Sequence, residues 1–303
     1  MTAASLIVKG ERTLEHCLQA VAGDPGASAL FCDIDGTISP IAQTPWEASV
    51  SAEFRTLLAG LIGRLGLIAF VTGRDLDGGR RMVDVPGAVY VGTHGLDMLD
   101  AHGRRTVDPG AEEWLPTVRE IIDLARSAEL EPMGVLIEDK GAAFAVHYRL
   151  AEDRDAAEAA VLRKVVEPAR ARGLWVISGY LAYDLRPPVA VNKGTATERL
   201  LATGDYRTAL FLGDDLTDCN GFDAVHAWAT RSPERPPSET QGAQAAETAP
   251  NRPQPPADSR IGLAAAALTD ETWEEVKAAA DVWVAATPGM FEVLRRLLEA
   301  ASA

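Results

Sequence analysis

The stretch ALFCDIDGTISPI, Ala29–Ile41, decides how the rest of the chain is read. An apolar run ends on two aspartates one residue apart, Asp33 and Asp35, and Gly36 and Thr37 follow at once. Such a run predicts a buried strand. At the end of a strand, residues i and i+2 point to the same side. Two carboxylates that close repel each other and lose hydration, so the pattern calls for a partner. A hard cation such as magnesium suits them. A calcium loop is the competing reading, but it needs a third oxygen ligand before its glycine, and here Gly36 follows Asp35 directly.

Outward from this stretch, SAEFRTLLAGLIGRL predicts a helix and GLIAFVTGR a second buried strand running into a polar turn. AVYVGTHGLDML predicts a third strand that turns back as a hairpin. Strands alternating with helices imply a parallel sheet covered on both faces, with ligands beyond the carboxyl ends of the strands. Asp33 and Thr72 both fall at such ends.

The pattern changes near Arg104. EEWLPTVREIIDLARSA and DAAEAAVLRKVVEPARA alternate with GVLIEDKGAAFAVHYRL and LWVISGYLAYDLRP, which predicts a sheet with one covered and one open face. The alternation of helix and buried strand returns with NKGTATERLLAT and TALFLGDDLTD. The expected organisation is therefore a core of residues 1–103 and 189–303 interrupted by a smaller α/β domain at 104–188. Residues 231–260 hold seven of the 18 prolines and almost no large apolar side chain, and predict a flexible insertion.

Several polar groups are candidates for the chemistry of a phosphoryl group. A carboxylate such as Asp33 can attack phosphorus in line, and Asp35 can hand a proton to the departing oxygen and later take one from water. Thr72 and the backbone of Gly73, with Arg74 beside them, offer donors for phosphate oxygens. Lys193 sits at a predicted helix start, where free N–H groups favour an anion. Asp214, Asp215 and Asp218 in GDDLTD can complete a metal shell.

Together these four segments resemble the haloacid dehalogenase superfamily of phosphotransferases. The resemblance implies that Asp33 is the nucleophile, Asp35 the acid/base, Thr72 and Lys193 the phosphate contacts, and Asp33, the Asp35 carbonyl and Asp214 the magnesium ligands, with Asp215 beside them. It also implies a Rossmann-like core with an inserted cap. GTHGLDM, IEDKGAAFAVHYR, YDLRP and GDDLTDCNGF are similar to the trehalose-6-phosphate phosphatases. That likeness implies that Glu138, Lys140 and Arg149 contact the distal sugar, with Asp184 where the family usually has Glu. Thr72 replaces the more usual Ser, and Cys219 stands where an acid is more common. A functional link to a trehalose-6-phosphate synthase is implied as well. The rival readings are the same chemistry on sucrose phosphate or a glycosyl-glycerate phosphate, and a regulator that binds sugar phosphate without turnover.

The charge balance is consistent with a small ligand. With 29 Lys and Arg against 44 Asp and Glu, a net charge of −15 disfavours nucleic acid or an anionic membrane as a general partner. Three cysteines without a CxxC fit a reducing compartment. The opening residues lack the apolar stretch of a signal peptide, so a cytoplasmic protein is expected.

Overall fold

A computed structural model describes residues 6–42, 47–179, 181–231, 260–270 and 272–303. The proline-rich insertion expected at 231–260 lies almost wholly outside the described residues. In chain order the strands are β1 (Ile7–Lys9), β2 (Ser28–Cys32), β3 (Leu67–Val71), β4 (Val89–Gly92), β5 (Asp97–Leu99) and β6 (Arg105–Val107). There follow β7 (Leu136–Asp139), β8 (Phe144–His147), β9 (Trp175–Gly179) and β10 (Ala182–Arg186), then β11 (Thr208–Gly213), β12 (Ile261–Leu268) and β13 (Val282–Ala285). Two sheets result among the described residues, in the orders β1-β13-β12-β11-β2-β3-β4-β5-β6 and β7-β8-β10-β9.

From β13 to β4 the larger sheet is parallel. Its central strands read as unbroken apolar runs because both faces are covered. On β2, Leu30 and Cys32 pack on one side while Ala29 and Phe31 pack on the other. Helices 11–23, 52–61 and 286–300 cover the first side, and 193–201 and 219–230 the second. Phe31 and Phe211 are partners in register across β2 and β11 and stack at 6.2 Å. This ties together the two strands whose ends carry Asp33 and Asp214.

The core reaches further than the sequence suggested. β6 pairs antiparallel with β5, so the first core segment extends through Val107 and the boundary expected after residue 103 falls inside a hairpin. The smaller sheet is antiparallel, and Phe144, Val146, Tyr183 and Leu185 on one face pack under helices 115–127 and 154–161. Its other face turns toward the core. No helix among the described residues is long and apolar enough to cross a membrane.

One ion pair links a covering helix to the sheet. His226 Nε2 lies 2.7 Å from Asp281 Oδ2, which also accepts the Ala264 N–H. The hydrogen bond that His226 Nε2–H donates to the Asp281 carboxylate raises the His226 pKa against the opposing effect of burial. Asp281 is held below its usual value despite its own burial, because His226 and the Ala264 N–H favour its charged form. The raised histidine contributes stability below its unfolded pKa that is lost as pH rises through its folded one. The depressed aspartate contributes above its unfolded pKa and loses this as pH falls. His226→Gln is therefore expected to cost up to about 1 kcal/mol, given the partial exposure, chiefly between roughly pH 4 and 6. Thermal melts across pH check this. An equal loss at pH 8 would contradict it.

Candidate active site

The site forms where β2, β3 and β11 end and the helix 193–201 begins. The Asp33 N–H donates to Leu212 O at 2.9 Å, which anchors the first turn after β2 to its neighbour. Asn192 caps the helix by accepting the Thr195 N–H, while the Thr195 hydroxyl accepts the Asn192 N–H. This capping box brings Lys193 into the interior.

Lys193 is fully buried, and its Nζ donates to Asp33 Oδ1 at 2.8 Å and Asp218 Oδ1 at 2.7 Å. Burial alone would lower its pKa, but Asp218, Asp33 and Asp215 outweigh that and keep the ammonium charged. Asp218 accepts the N–H groups of Asp214 and Asp215 on its other oxygen, at 3.0 and 3.1 Å. It therefore fixes both the lysine and the acidic turn. Burial pushes the Asp33 and Asp214 carboxyls up to about 7, against the opposing pull of Lys193 and with repulsion from neighbouring acids.

Asp33, Asp214 and Asp218 each bring an oxygen within 4.8 Å of the other two. Both Asp218 oxygens are committed to Lys193 and the backbone, so Asp33 and Asp214 are the pair that would face a cation. Thr37 donates to Asp214 Oδ1 at 3.1 Å with Asp33 Oδ2 at 3.5 Å, and holds the pair in place. Buried, hard oxygen donors with too little positive charge around them fit a divalent ion such as magnesium. Asp215 is engaged elsewhere, and Asp35 is expected to reach the ion through its backbone carbonyl, which leaves its carboxylate to another partner. The Asp215 carboxylate caps its own turn through the Thr217 hydroxyl and the N–H groups of Thr217 and Asp218. Both Asp35 oxygens are held by Arg74, at 2.6 and 2.7 Å.

Gly36 is required twice over. Its φ is +81°, and a Cβ there would lie 1.9 Å from Asp214 Oδ2. Gly36→Ala must both strain the backbone and displace that carboxylate. We expect a loss of turnover of at least about a hundredfold, the scale of a 1 Å misplacement. Magnesium titration by calorimetry should show weakened binding; unchanged affinity and rate would contradict this role for Gly36.

A cleft of about 360 Å³ joins this centre to the smaller domain, with Asp33, Thr72 and Lys193 on one wall and Glu138, Lys140 and Arg149 on the other. Thr72 is buried and accepts the Arg74 N–H. Glu138, Ala145, Asp184 and Ile177 form one row across β7, β8, β10 and β9, so the small Ala145 leaves room between the two acids. Lys140 Nζ donates to Asp184 Oδ1 at 2.9 Å and lies 3.9 Å from Glu138. The bond from His147 at 2.9 Å is the main cause that keeps the Glu138 carboxyl below its usual range. Glu138 and Lys140 are thus half-buried groups of a shared cleft, not a solvated strand pair.

Every candidate position except Asp184, Asp214 and Asp218 lines this cleft, and Asp184 joins it through Lys140. Thr37, His147 and His94 carry geometry that spacing did not assign, and Asp218, a candidate for the metal shell, instead holds Lys193 and the turn N–H groups. For Asp218 the signal was present, since GDDLTD places it four residues after Asp214 and a carboxylate there can reach back to the turn N–H groups. His94 falls in GTHGLDM, one of the segments similar to the trehalose-6-phosphate phosphatases, but that likeness put it near the boundary of the two domains without a role.

The sequence profile of the trehalose-phosphatase family matches residues 31–257. The chain belongs to this family. It is 36% identical over 218 residues to a probable trehalose-phosphate phosphatase of Sinorhizobium fredii, covering 70% of this chain and 79% of that protein. A trehalose-phosphate phosphatase of Mycobacterium marinum is 32% identical over 222 residues, 70% of this chain but only 56% of the relative. The solved structure of a trehalose-6-phosphate phosphatase related protein shares the fold with a TM-score of 0.65 at 23% identity, over 89% of this chain and 97% of that one.

Proposed function

We propose that this protein is a magnesium-dependent phosphatase that hydrolyses trehalose 6-phosphate to trehalose and inorganic phosphate. One observation carries the reading: the buried Asp33–Lys193 pair opens into the same cleft as the Glu138, Lys140 and Arg149 side chains. A nucleophile and a set of sugar-binding groups thus face one ligand.

In this reading Asp33 attacks phosphorus as the bond to the sugar oxygen breaks, leaving an aspartyl phosphate and an alkoxide. Asp35 delivers the proton that the leaving oxygen takes up, then removes one from the water that attacks the phosphoaspartate and returns Asp33. Arg74 holds both Asp35 oxygens in the structure, so an arriving phosphoryl group that draws the guanidinium frees Asp35 for this work. Lys193 and the Thr72 hydroxyl offset charge on the phosphoryl oxygens. Asp33 and Asp214, with the Asp35 carbonyl, would hold magnesium, which when bound would supply positive charge near the phosphoryl oxygens. Across the cleft Glu138, Lys140, Arg149 and Asp184 meet sugar hydroxyls, which buried charged groups discriminate well.

Phosphate release from trehalose 6-phosphate, sucrose 6-phosphate and glucose 6-phosphate tests this. Selective turnover of the first supports it; turnover of another ester replaces the substrate, and none at all favours a non-catalytic regulator. Lys140→Ala is expected to lower kcat/KM for trehalose 6-phosphate by about 10- to 100-fold, since Asp184 and Glu138 then face each other without their cation. The same variant should hydrolyse p-nitrophenyl phosphate normally. An unchanged preference across sugar phosphates would remove the recognition role from this face.

A further inference from the structure

His94 takes no part in this chemistry, yet it forms a wall shared by two cavities. It lines the cleft of Asp33 and Glu138, and it also lines a neighbouring cavity of about 300 Å³ with Asp184 and Arg186. Its position is costly to maintain. Thr93 and His94 both have left-handed backbones, at φ +48° and +56°, a conformation uncommon for any residue but glycine and most strained for the β-branched Thr93. The His94 N–H donates to Thr72 O at 2.9 Å and the Thr93 N–H to Arg74 O at 2.8 Å, so the strained turn is tied to the strand end that carries Thr72.

The two ring nitrogens are in different settings. Nδ1 is sealed from solvent and has no hydrogen-bond partner. The other edge of the ring faces Gly73: a Cβ built there would lie 2.6 Å from both Cε1 and Nε2. A proton on Nδ1 would be a buried donor without an acceptor, the costlier kind of orphan, so the neutral ring carries its proton on Nε2. Burial, then Lys193, lowers the pKa to about 4 and keeps the ring neutral. A fixed N–H donor results, between the phosphate-binding turn and the sugar-binding face.

We propose that His94 is a sugar-recognition residue, its Nε2–H donating to an oxygen of the phosphorylated ring. This rests on the sugar phosphatase reading above. Gly73 is then needed because any side chain there would occupy the space of the imidazole edge.

Two variants with the same backbone strain isolate the donor. His94→Gln can place an amide N–H near the Nε2 position, whereas His94→Leu cannot donate. We expect His94→Leu to lose on the order of tenfold in kcat/KM for trehalose 6-phosphate relative to His94→Gln. Hydrolysis of p-nitrophenyl phosphate, which lacks the sugar, should be equal in the two. In the wild type, imidazole ¹⁵N spectra at pH 7 should show the neutral Nε2–H tautomer for His94, a readout independent of turnover and of whether the variants fold. An Nδ1–H tautomer, an imidazolium, equal sugar-ester rates for the two variants, or an equal loss on both esters overturns the proposal. If the wild type turns over a different sugar phosphate, the substrate reading fails, and the Leu-against-Gln comparison on that ester still decides the role of His94.

Discussion

Asp33→Asn should abolish phosphate release, by at least about a thousandfold, while the protein melts no lower than the wild type. The two halves of this expectation have separate causes. Asparagine has no carboxylate to attack phosphorus, so the first bond-forming step is lost. It nevertheless keeps the shape of the side chain, and its Oδ1 can still accept from Lys193, now 2.8 Å from Asp33. It also removes a charge from a place where burial and Asp214 disfavour the ionised form. Phosphate release and thermal melting on one preparation check both halves. A variant that keeps a tenth of the rate would move the nucleophile elsewhere, and one that melts far lower would mean that the Asp33 charge is needed for folding.

The second large effect concerns Lys193. Lys193→Met leaves Asp33 and Asp218 buried without the cation that both now contact. Breaking a buried ion network from one side costs about 3–5 kcal/mol, on the order of a 10 °C drop in melting temperature for a chain of this size. Activity should fall with it, since in the proposed mechanism the phosphoryl oxygens lose the charge that Lys193 supplies. Adding Asp218→Asn to Lys193→Met should recover part of the melting temperature and none of the activity, because it relieves the stranded charge without restoring a cation. Lys193→Arg is not expected to rescue either property, as a planar guanidinium does not fit a slot shaped for an ammonium. A Lys193→Met protein that melts like the wild type would show that the buried acids are satisfied by other means.

The gathering of these polar groups at one edge was legible in the sequence because parallel strands report their own ends. Continuous apolar runs on β2, β3 and β11 stop abruptly at Asp33, Thr72 and Asp214, and a sheet of such strands brings their carboxyl ends to one edge. The likeness to sugar phosphatases named the facing residues, but spacing alone could not have shown that Glu138 and Asp184 share a row. That depends on the register of β7, β8 and β10, which is set by how the apolar faces of those strands pack under their helices.

The sequence by itself determined the layered α/β core, the interruption by a second small sheet, and the identity of the charged groups at the strand ends. Which of those groups hold each other was decided by the tertiary structure. Asp35 is clamped by Arg74, 39 residues away; Asp218 rather than Asp215 shares Lys193 closely with Asp33; and His94 stands between two cavities. The physical reason is range. Periodicity and turn chemistry act over a few residues, while the pairing of buried charges is settled only when distant segments desolvate them together and each must take the nearest partner that remains.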